Sequence, residues 1–257
     1  MSDMVLQTEG LTKIFGGLTA VNEVSFGVPR GAIVSIIGPN GAGKTTFFNM
    51  LTGLYKPSFG SVVFDGNDIS GGRPDKITKA GVARTFQNIR LFGTMSALEN
   101  VLVGQHATMR SGVFGAVFTP PWTRREEREG REKARELLNY VGIAKRNHEQ
   151  IASQLAYGDQ RRVEIARALS SDPKLLLLDE PTAGMNPSES AQLTNFMRQV
   201  RTEKNLSILL IEHDMKVVMG VSEQITVIDH GEKIAEGDPQ TVRNDKRVIE
   251  AYLGKQD

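Results

Sequence analysis

Residues 32–45 leave few folds open. Ala32-Ile33-Val34-Ser35-Ile36-Ile37 is a short apolar run bounded by glycines and reads as a buried strand. Gly38-Pro39-Asn40-Gly41-Ala42-Gly43-Lys44-Thr45 follows, and residues 43–52 have a helical pattern. A strand, a glycine-rich loop and a helix in that order start a parallel β-α-β unit. The loop fits the spacing G-x-x-x-x-G-K-[ST], which is specific in this context. Glycines let the backbone curl so that successive N–H groups converge on phosphate oxygens. The start of the following helix adds partial positive charge. Lys44 is placed to reach β- and γ-phosphates, and the Thr45 hydroxyl to ligate Mg²⁺.

The rest of the chain is compatible with that beginning. Residues 18–28 alternate loosely and suggest edge strands, and 62–64 form a short strand closed by the turn signal Asp65-Gly66. From about Asn88 to Gln154 the pattern is mostly helical. Within it, Glu127–Arg131 and Glu129–Lys133 stand at i,i+4 on a charge-rich face. Phe114, Phe118 and Trp122 recur at i, i+4, i+8, which reads as packing within a helical subdomain or as a contact toward a permease or membrane surface. Strand and helix then alternate again. Residues 175–178 and 207–211 are β runs, and between them Asn186 can cap a helix that has Pro187 at its first position. Leu193, Phe196, Met197 and Val200 form that helix's apolar stripe. Residues 224–229 and 233–235 read as strands and 245–253 as a terminal helix. The alternation predicts an α/β fold with a mainly parallel sheet and an inserted helical subdomain.

Composition excludes several alternatives. The 257 residues include 31 basic and 30 acidic side chains, a net charge of +1, so there is no electrostatic case for nucleic-acid binding. There is no cysteine, which removes disulfides, thiolate metal sites and thiol catalysis. No apolar run approaches the roughly 18–20 residues of a membrane span, and residues 1–9 lack the pattern of a signal peptide. Any membrane role is expected to come through a partner.

Further candidates lie at strand ends. The run 175–178 leads into Asp179-Glu180, at the carboxyl edge of a sheet where ligands bind in α/β folds. Asp179 is placed to hold Mg²⁺ through water, and Glu180 to activate an attacking water. His213 follows the run 207–211 at the same kind of edge, in Glu212-His213-Asp214, and is a candidate γ-phosphate contact. Gln87 follows the possible strand 82–86 and could orient water or metal.

The order of these segments resembles the ATP-binding cassette proteins along nearly the whole chain. A glutamine follows Thr85-Phe86, and Leu155-Ala156-Tyr157-Gly158-Asp159-Gln160-Arg161-Arg162 sits where that family has its Leu-Ser-Gly-Gly-Gln signature. Ala183-Gly184-Met185-Asn186 sits at the family's D-loop, and Phe15 at the aromatic that stacks on adenine. Arg84–Asn88 with Arg90-Leu91-Phe92, Leu155–Arg162, residues 211–215 and the ending Ala251-Tyr252-Leu253-Gly254 look like the LivG-type subunits of branched-chain amino acid importers.

The resemblance implies a P-loop NTPase core of the ABC type with an antiparallel β subdomain. As one cassette spanning 4–257, it would comprise a core at 4–87 and 156–240, a helical insertion at 88–155 and a C-terminal helix at 241–257. It implies ATP and Mg²⁺ as cofactors. Nucleotide contacts would come from Phe15, Gly38, Pro39, Asn40, Gly41, Ala42, Gly43, Lys44, Thr45, Thr46 and Gly158. The metal would be held by Thr45, Gln87 and Asp179, and chemistry would fall to Glu180, His213 and Gln87. Two cassettes would pair head to tail, each ATP lying between the P-loop of one and the signature of the other. The further partners implied are permease subunits and, indirectly, a solute-binding protein, at the cytoplasmic face of the inner membrane.

The signature departs from the family pattern. Ala156 stands where a serine donates its hydroxyl to the opposite nucleotide, and Tyr157 replaces a glycine. Losing one such charge-assisted bond costs on the order of 1.5–3 kcal/mol. The altered pair raises the question of whether the second cassette is an identical chain or a different one. A different one is favoured, which would make the two ATP sites chemically unequal, with an identical one as the alternative. Other readings are a cassette serving lipid or another solute, or a cassette ATPase acting on DNA or ribosomes. Residues 88–154 are too short for the coiled coil of the DNA class, and the single P-loop argues against the ribosomal one.

Overall fold

In the computed structural model, residues 3–105 and 121–253 are described, with side chains for 3–105 and 125–252. Phe114 and Phe118 lie outside the described residues, as does the side chain of Trp122. The strands along the chain are β1 (Met4–Phe15), β2 (Leu18–Pro29), β3 (Ile33–Ile37), β4 (Phe59–Phe64), β5 (Asn67–Asp68), β6 (Val82–Arg84), β7 (Leu175–Asp179), β8 (Ser207–Ile211), β9 (Gln224–Asp229) and β10 (Glu232–Gly237). The helices are α1 (Lys44–Leu51), α2 (Pro74–Ala80), α3 (Ala97–Gln105), α4 (Pro121–Tyr140), α5 (Tyr157–Leu169), α6 (Pro187–Lys204), α7 (Met215–Val221), α8 (Pro239–Asn244) and α9 (Lys246–Leu253). The chain divides into two compact units, one made of residues 1–77 and 174–257, the other of 78–173.

The first unit holds two kinds of sheet. β1 pairs antiparallel with β2 on one side and β4 on the other, and β5 completes the order β2-β1-β4-β5. Asp65 and Gly66 both take positive φ, 48° and 78°, which fits the two-residue turn between β4 and β5. The expectation of strands at 18–28 holds for β2. Its partner β1 escaped the reading because bulges interrupt its alternation between Thr8 and Ile14.

The other sheet contains the order β10-β9-β3-β8-β7. β3 is parallel to both β8 and β9, and β7 is parallel to β8, whereas β10 runs antiparallel to β9. Every residue of β3, β7 and β8 is buried, as strands covered on both faces require. The register aligns Ile36 with Ile211 and Asp179 with Ile211. The carboxyl ends of β3, β7 and β8 therefore lie together at one edge. α6 begins with a complete capping box. The Asn186 side chain accepts from Glu189 N–H, the Glu189 carboxylate accepts from Asn186 N–H, and Pro187 occupies the first turn. Leu193, Met197 and Val200 of the expected stripe are buried, with Phe196 half-buried beside them.

In the second unit, α5 packs against α3, α4 and β6. Gly104 allows this approach, because a Cβ there would stand 2.2 Å from the Arg167 carbonyl oxygen and 2.3 Å from Ser170 Oγ. This packing draws residues 78–87 and 156–173 into the helical unit, which is wider than the expected 88–155. The i,i+4 pairs differ as well. Glu129 pairs with Arg125 at 2.7 Å, while Lys133 reaches Asp172 on the segment after α5. A bond to a neighbouring segment replaces the local pair where the packing offers one.

Candidate functional site

The loop 38–45 joins β3 to α1 with a backbone that other residues could not follow. Gly43, at the helix start, has φ 98°, and a Cβ there would lie 2.3 Å from the Ala20 carbonyl oxygen. A Cβ on Gly38 would lie 1.9 Å from the Ile228 carbonyl oxygen. The loop is also tied from outside, where Gly231 N–H donates to the Ala42 carbonyl at 3.0 Å. Lys44 Nζ donates to the carbonyls of Gly38 and Pro39 at 2.7 and 2.8 Å, so its ammonium lies across the loop. Burial pushes the Lys44 pKa below the ordinary lysine range, and the charges of Glu180 and Asp179 oppose that shift. The phosphate loop and the carboxylate pair thus share one electrostatic site, as the strand ends require.

Asp179 is buried at the end of β7, at 3% exposure. Glu180 turns out of the strand with φ 46°, held by its N–H to the Ile211 carbonyl at 2.9 Å. A non-glycine residue in the left-handed region carries strain of about 1–3 kcal/mol and is concentrated at functional sites. Glu180 Oε2 lies 3.6 Å from His213 Nδ1, so the sheet edge brings these two candidates together. Thr45 and Asp179 suit a hard cation that also takes phosphate oxygens, which needs only one or two protein oxygens. Among the described residues no cluster of three or more His, Asp or Glu would hold a metal by itself.

Phe15, at the end of β1, is 41% exposed and meets Tyr55 edge to face at 5.3 Å. Lys13 Nζ stands 4.9 Å over its ring. A core role for Phe15 does not fit that exposure. Gln87 and the signature-like segment belong to the second unit. The Gln87 residue is exposed, just past β6. α5 starts at Tyr157, with Ala156 as an N-cap that makes no side-chain cap bond. The helix therefore begins ahead of Gly158. Gly158 sits within the first turn, whose N–H groups have no partner inside the helix.

The family described as ABC transporter matches residues 21–183, more than half of the chain. The chain belongs to the ABC transporter family. A second match, described as branched-chain amino acid ATP-binding cassette transporter, covers residues 232–257 of this cassette. The high-affinity branched-chain amino acid transport ATP-binding protein LivG of Salmonella typhimurium is 47% identical over 99% of the cassette and 100% of its own length. Among solved structures, the ADP conformation of MJ1267, an ATP-binding cassette of an ABC transporter, is 32% identical with a TM-score of 0.85. It covers 99% of this cassette and 100% of its own chain. The dimeric post-hydrolysis state of the cassette MJ0796, bound to ADP and Pi, is 27% identical with a TM-score of 0.77, covering 91% and 98%. The cassette is accordingly an ATP-binding ATPase subunit of an ABC transporter with the P-loop α/β core.

Some residues of this cassette carry structural roles that the sequence reading did not assign. Glu212 is 1% exposed, and its Oε1 accepts from the Thr182 N–H at 2.9 Å and from the Thr182 hydroxyl. Its Oε2 accepts from the N–H groups of His213 and Asp214 at 2.9 and 3.2 Å. One buried carboxylate therefore ties the segment after Glu180 to the segment holding His213. No sequence signal set Glu212 apart from Asp179 and Glu180, which also follow a buried apolar run. Tyr252 on α9 faces the loop. Burial raises its phenol pKa while the Gly38 backbone amide works against that rise. A cavity of about 790 Å³ lies alongside, lined by Pro39–Ala42 and by Arg247, Glu250 and Ala251 of α9.

Proposed function

We propose that this cassette energises an importer of branched-chain amino acids, and that its P-loop, carboxylate pair and His213 form one half of a shared ATP site. The observation that carries the reading is the sheet register that brings the carboxyl ends of β3, β7 and β8, which lead into the P-loop, the carboxylate pair and His213, to one edge, in a chain alike along its full length to a transport subunit of that class. Residues 38–46 cradle the phosphates, and Phe15 offers a ring face to adenine. Glu180 takes the proton of the attacking water, His213 contacts the γ-phosphate, and Gln87 orients the water. Mg²⁺ would be held by Thr45 and Asp179, with Gln87 as a further ligand, and supplies charge neutralisation at the phosphates.

A partner cassette's signature completes the site, and this chain's Leu155–Gln160, with Gly158 N–H, serves the partner. Head-to-tail pairing of that kind is a closed two-fold or pseudo-two-fold arrangement, in line with the dimeric MJ0796 cassette. We favour a heterodimer with a second, different cassette, bound to permease subunits at the cytoplasmic face of the membrane and served indirectly by a solute-binding protein. Among the described residues no helix is long and apolar enough to cross a membrane, so that attachment goes through the permease.

The test is uptake. The cassette is co-purified with its permease, reconstituted into vesicles with ATP and Mg²⁺, and offered labelled leucine, isoleucine and valine. ATP-dependent accumulation is expected, and it should vanish with Glu180→Gln although that variant still binds ATP. Accumulation of lipid or another solute in place of these amino acids would overturn the substrate assignment.

A further inference from the structure

One side chain of the second unit joins two segments that the proposed function uses separately. α5 starts at the signature-like segment, and one turn along it stands Arg161, with 0% exposure. Arg161 Nη1 donates to the Phe86 carbonyl at 2.6 Å and to Glu164 Oε2 at 2.7 Å. Its Nη2 donates to the Gln87 carbonyl at 2.7 Å. Glu164 Oε1 accepts from the Arg90 N–H at 3.1 Å, and Arg167 Nη1 donates to the Arg90 carbonyl at 2.5 Å. The segment from Phe86 to Arg90 is therefore held at both ends by α5. Between them the Phe86 ring is flanked by the guanidinium groups of Arg84 and Arg90, at 5.0 and 4.3 Å.

The two carbonyls that Arg161 holds have a particular meaning. The Phe86 carbonyl belongs to the peptide plane before Gln87, and the Gln87 carbonyl to the plane after it. Peptide units are planar, so φ and ψ of a residue are the rotations between its two flanking planes. One rigid guanidinium fork that orients both planes fixes the backbone of Gln87 and the direction of its Cα–Cβ bond. Net stability does not account for the arrangement, since a buried ion pair is often no better than a well-packed apolar pair. What an apolar pair could not do is orient two carbonyls.

We propose that Arg161 is a positioning residue for Gln87, carrying the position of the signature end of α5 to the two peptide planes that aim the Gln87 side chain. This rests on the Gln87 role proposed above. It links the two shared sites, because the helix that engages the partner's nucleotide also sets a group acting on this chain's own. Hydrolysis at the two sites is then cooperative through this contact.

The experiment uses the full chain in the assembled transporter, with Arg161→Lys, Gln87→Ala and the double variant. Lysine keeps the charge and loses the fork. Steady-state kcat, ATP affinity, the Hill coefficient for ATP and thermal stability are measured together. Arg161→Lys is expected to lower kcat about tenfold, the scale of a misaimed catalytic group, while ATP affinity stays within about twofold. The Hill coefficient should fall toward one. In the Gln87→Ala background the same change should cost nothing further, because the two residues act in series. If Arg161→Lys fails to fold, Arg161→Met combined with Glu164→Gln removes both charges at once, and the same losses are expected of it. Independent, multiplying losses in the double variant would overturn the proposal, as would an unchanged kcat in Arg161→Lys beside a slowed Gln87→Ala. An unchanged kcat in Gln87→Ala overturns both this proposal and the Gln87 assignment.

Discussion

Lys44 is the residue on which the phosphate loop and the carboxylate pair act together. Burial disfavours its ammonium form, and the negative charges of Glu180 and Asp179 favour it. Removing one of those charges takes away part of the support. In Glu180→Gln the lysine should therefore release its proton at a lower pH than in the wild type. ATP binding needs the ammonium, so affinity declines as pH rises through the Lys44 pKa. The alkaline limb of ATP affinity is expected to lie at lower pH in Glu180→Gln, while at neutral pH the variant's own site still binds ATP and does not hydrolyse it. Titration with a fluorescent ATP analogue between about pH 7 and 11 reads this directly, since that range brackets ordinary lysine titration. Coincident limbs in the two proteins would separate Lys44 from Glu180. His213 and Glu180, 3.6 Å apart, belong to the same sheet edge, yet His213 is 66% exposed against 22% for Glu180. Its replacement should therefore disturb hydrolysis more than folding.

At the scale of elements, the segments with strong local chemistry were the ones the sequence made plain. Asn186-Pro187 with Glu189 is a helix start by composition, and α6 starts there with both reciprocal bonds made. Asn186→Ala is expected to cost about 0.5–2 kcal/mol, the usual range for losing an N-cap, measured as a fall in the denaturation midpoint with an unchanged slope. No loss would mean that the packing of Leu193, Met197 and Val200 alone fixes the helix. β3, β7 and β8 were equally plain, because strands buried on both faces read as unbroken apolar runs. β1 was not, because its bulges break the period on which such a reading depends. Nor were the short helices α2, α7 and α8, whose pattern spans too few turns to register. For the site, the phosphate loop, Asp179-Glu180 and His213 were legible because each follows a buried strand. Glu212, Arg161 and Glu164 were not, since their roles come from contacts with residues distant in sequence. A buried Arg161 and a solvated one look the same in a string of letters.

At the scale of the molecule, the proposed pairing makes the signature the part of this chain that serves another. α5 opens with Ala156 as an N-cap lacking a side-chain bond, then Tyr157, 47% exposed, then Gly158. The first-turn N–H groups remain as donors, but the hydroxyl that a serine would add is missing. The site formed by the partner's P-loop and this signature should therefore be the slower of two unequal sites. The chain's own site can be silenced with Glu180→Gln, so that the remaining hydrolysis reports the other. In that background Ala156→Ser restores one charge-assisted donor, worth on the order of 1.5–3 kcal/mol if it forms mainly in the transition state. Turnover by the paired cassettes should rise by about ten- to a hundredfold, the rate equivalent of that range, with ATP affinity little changed. The same substitution made alone should raise total hydrolysis less, because the other site already dominates it. An Ala156→Ser variant with unaltered turnover in both backgrounds would mean that the backbone donors of α5 suffice, and the argument for two different cassettes would lose its chemical basis.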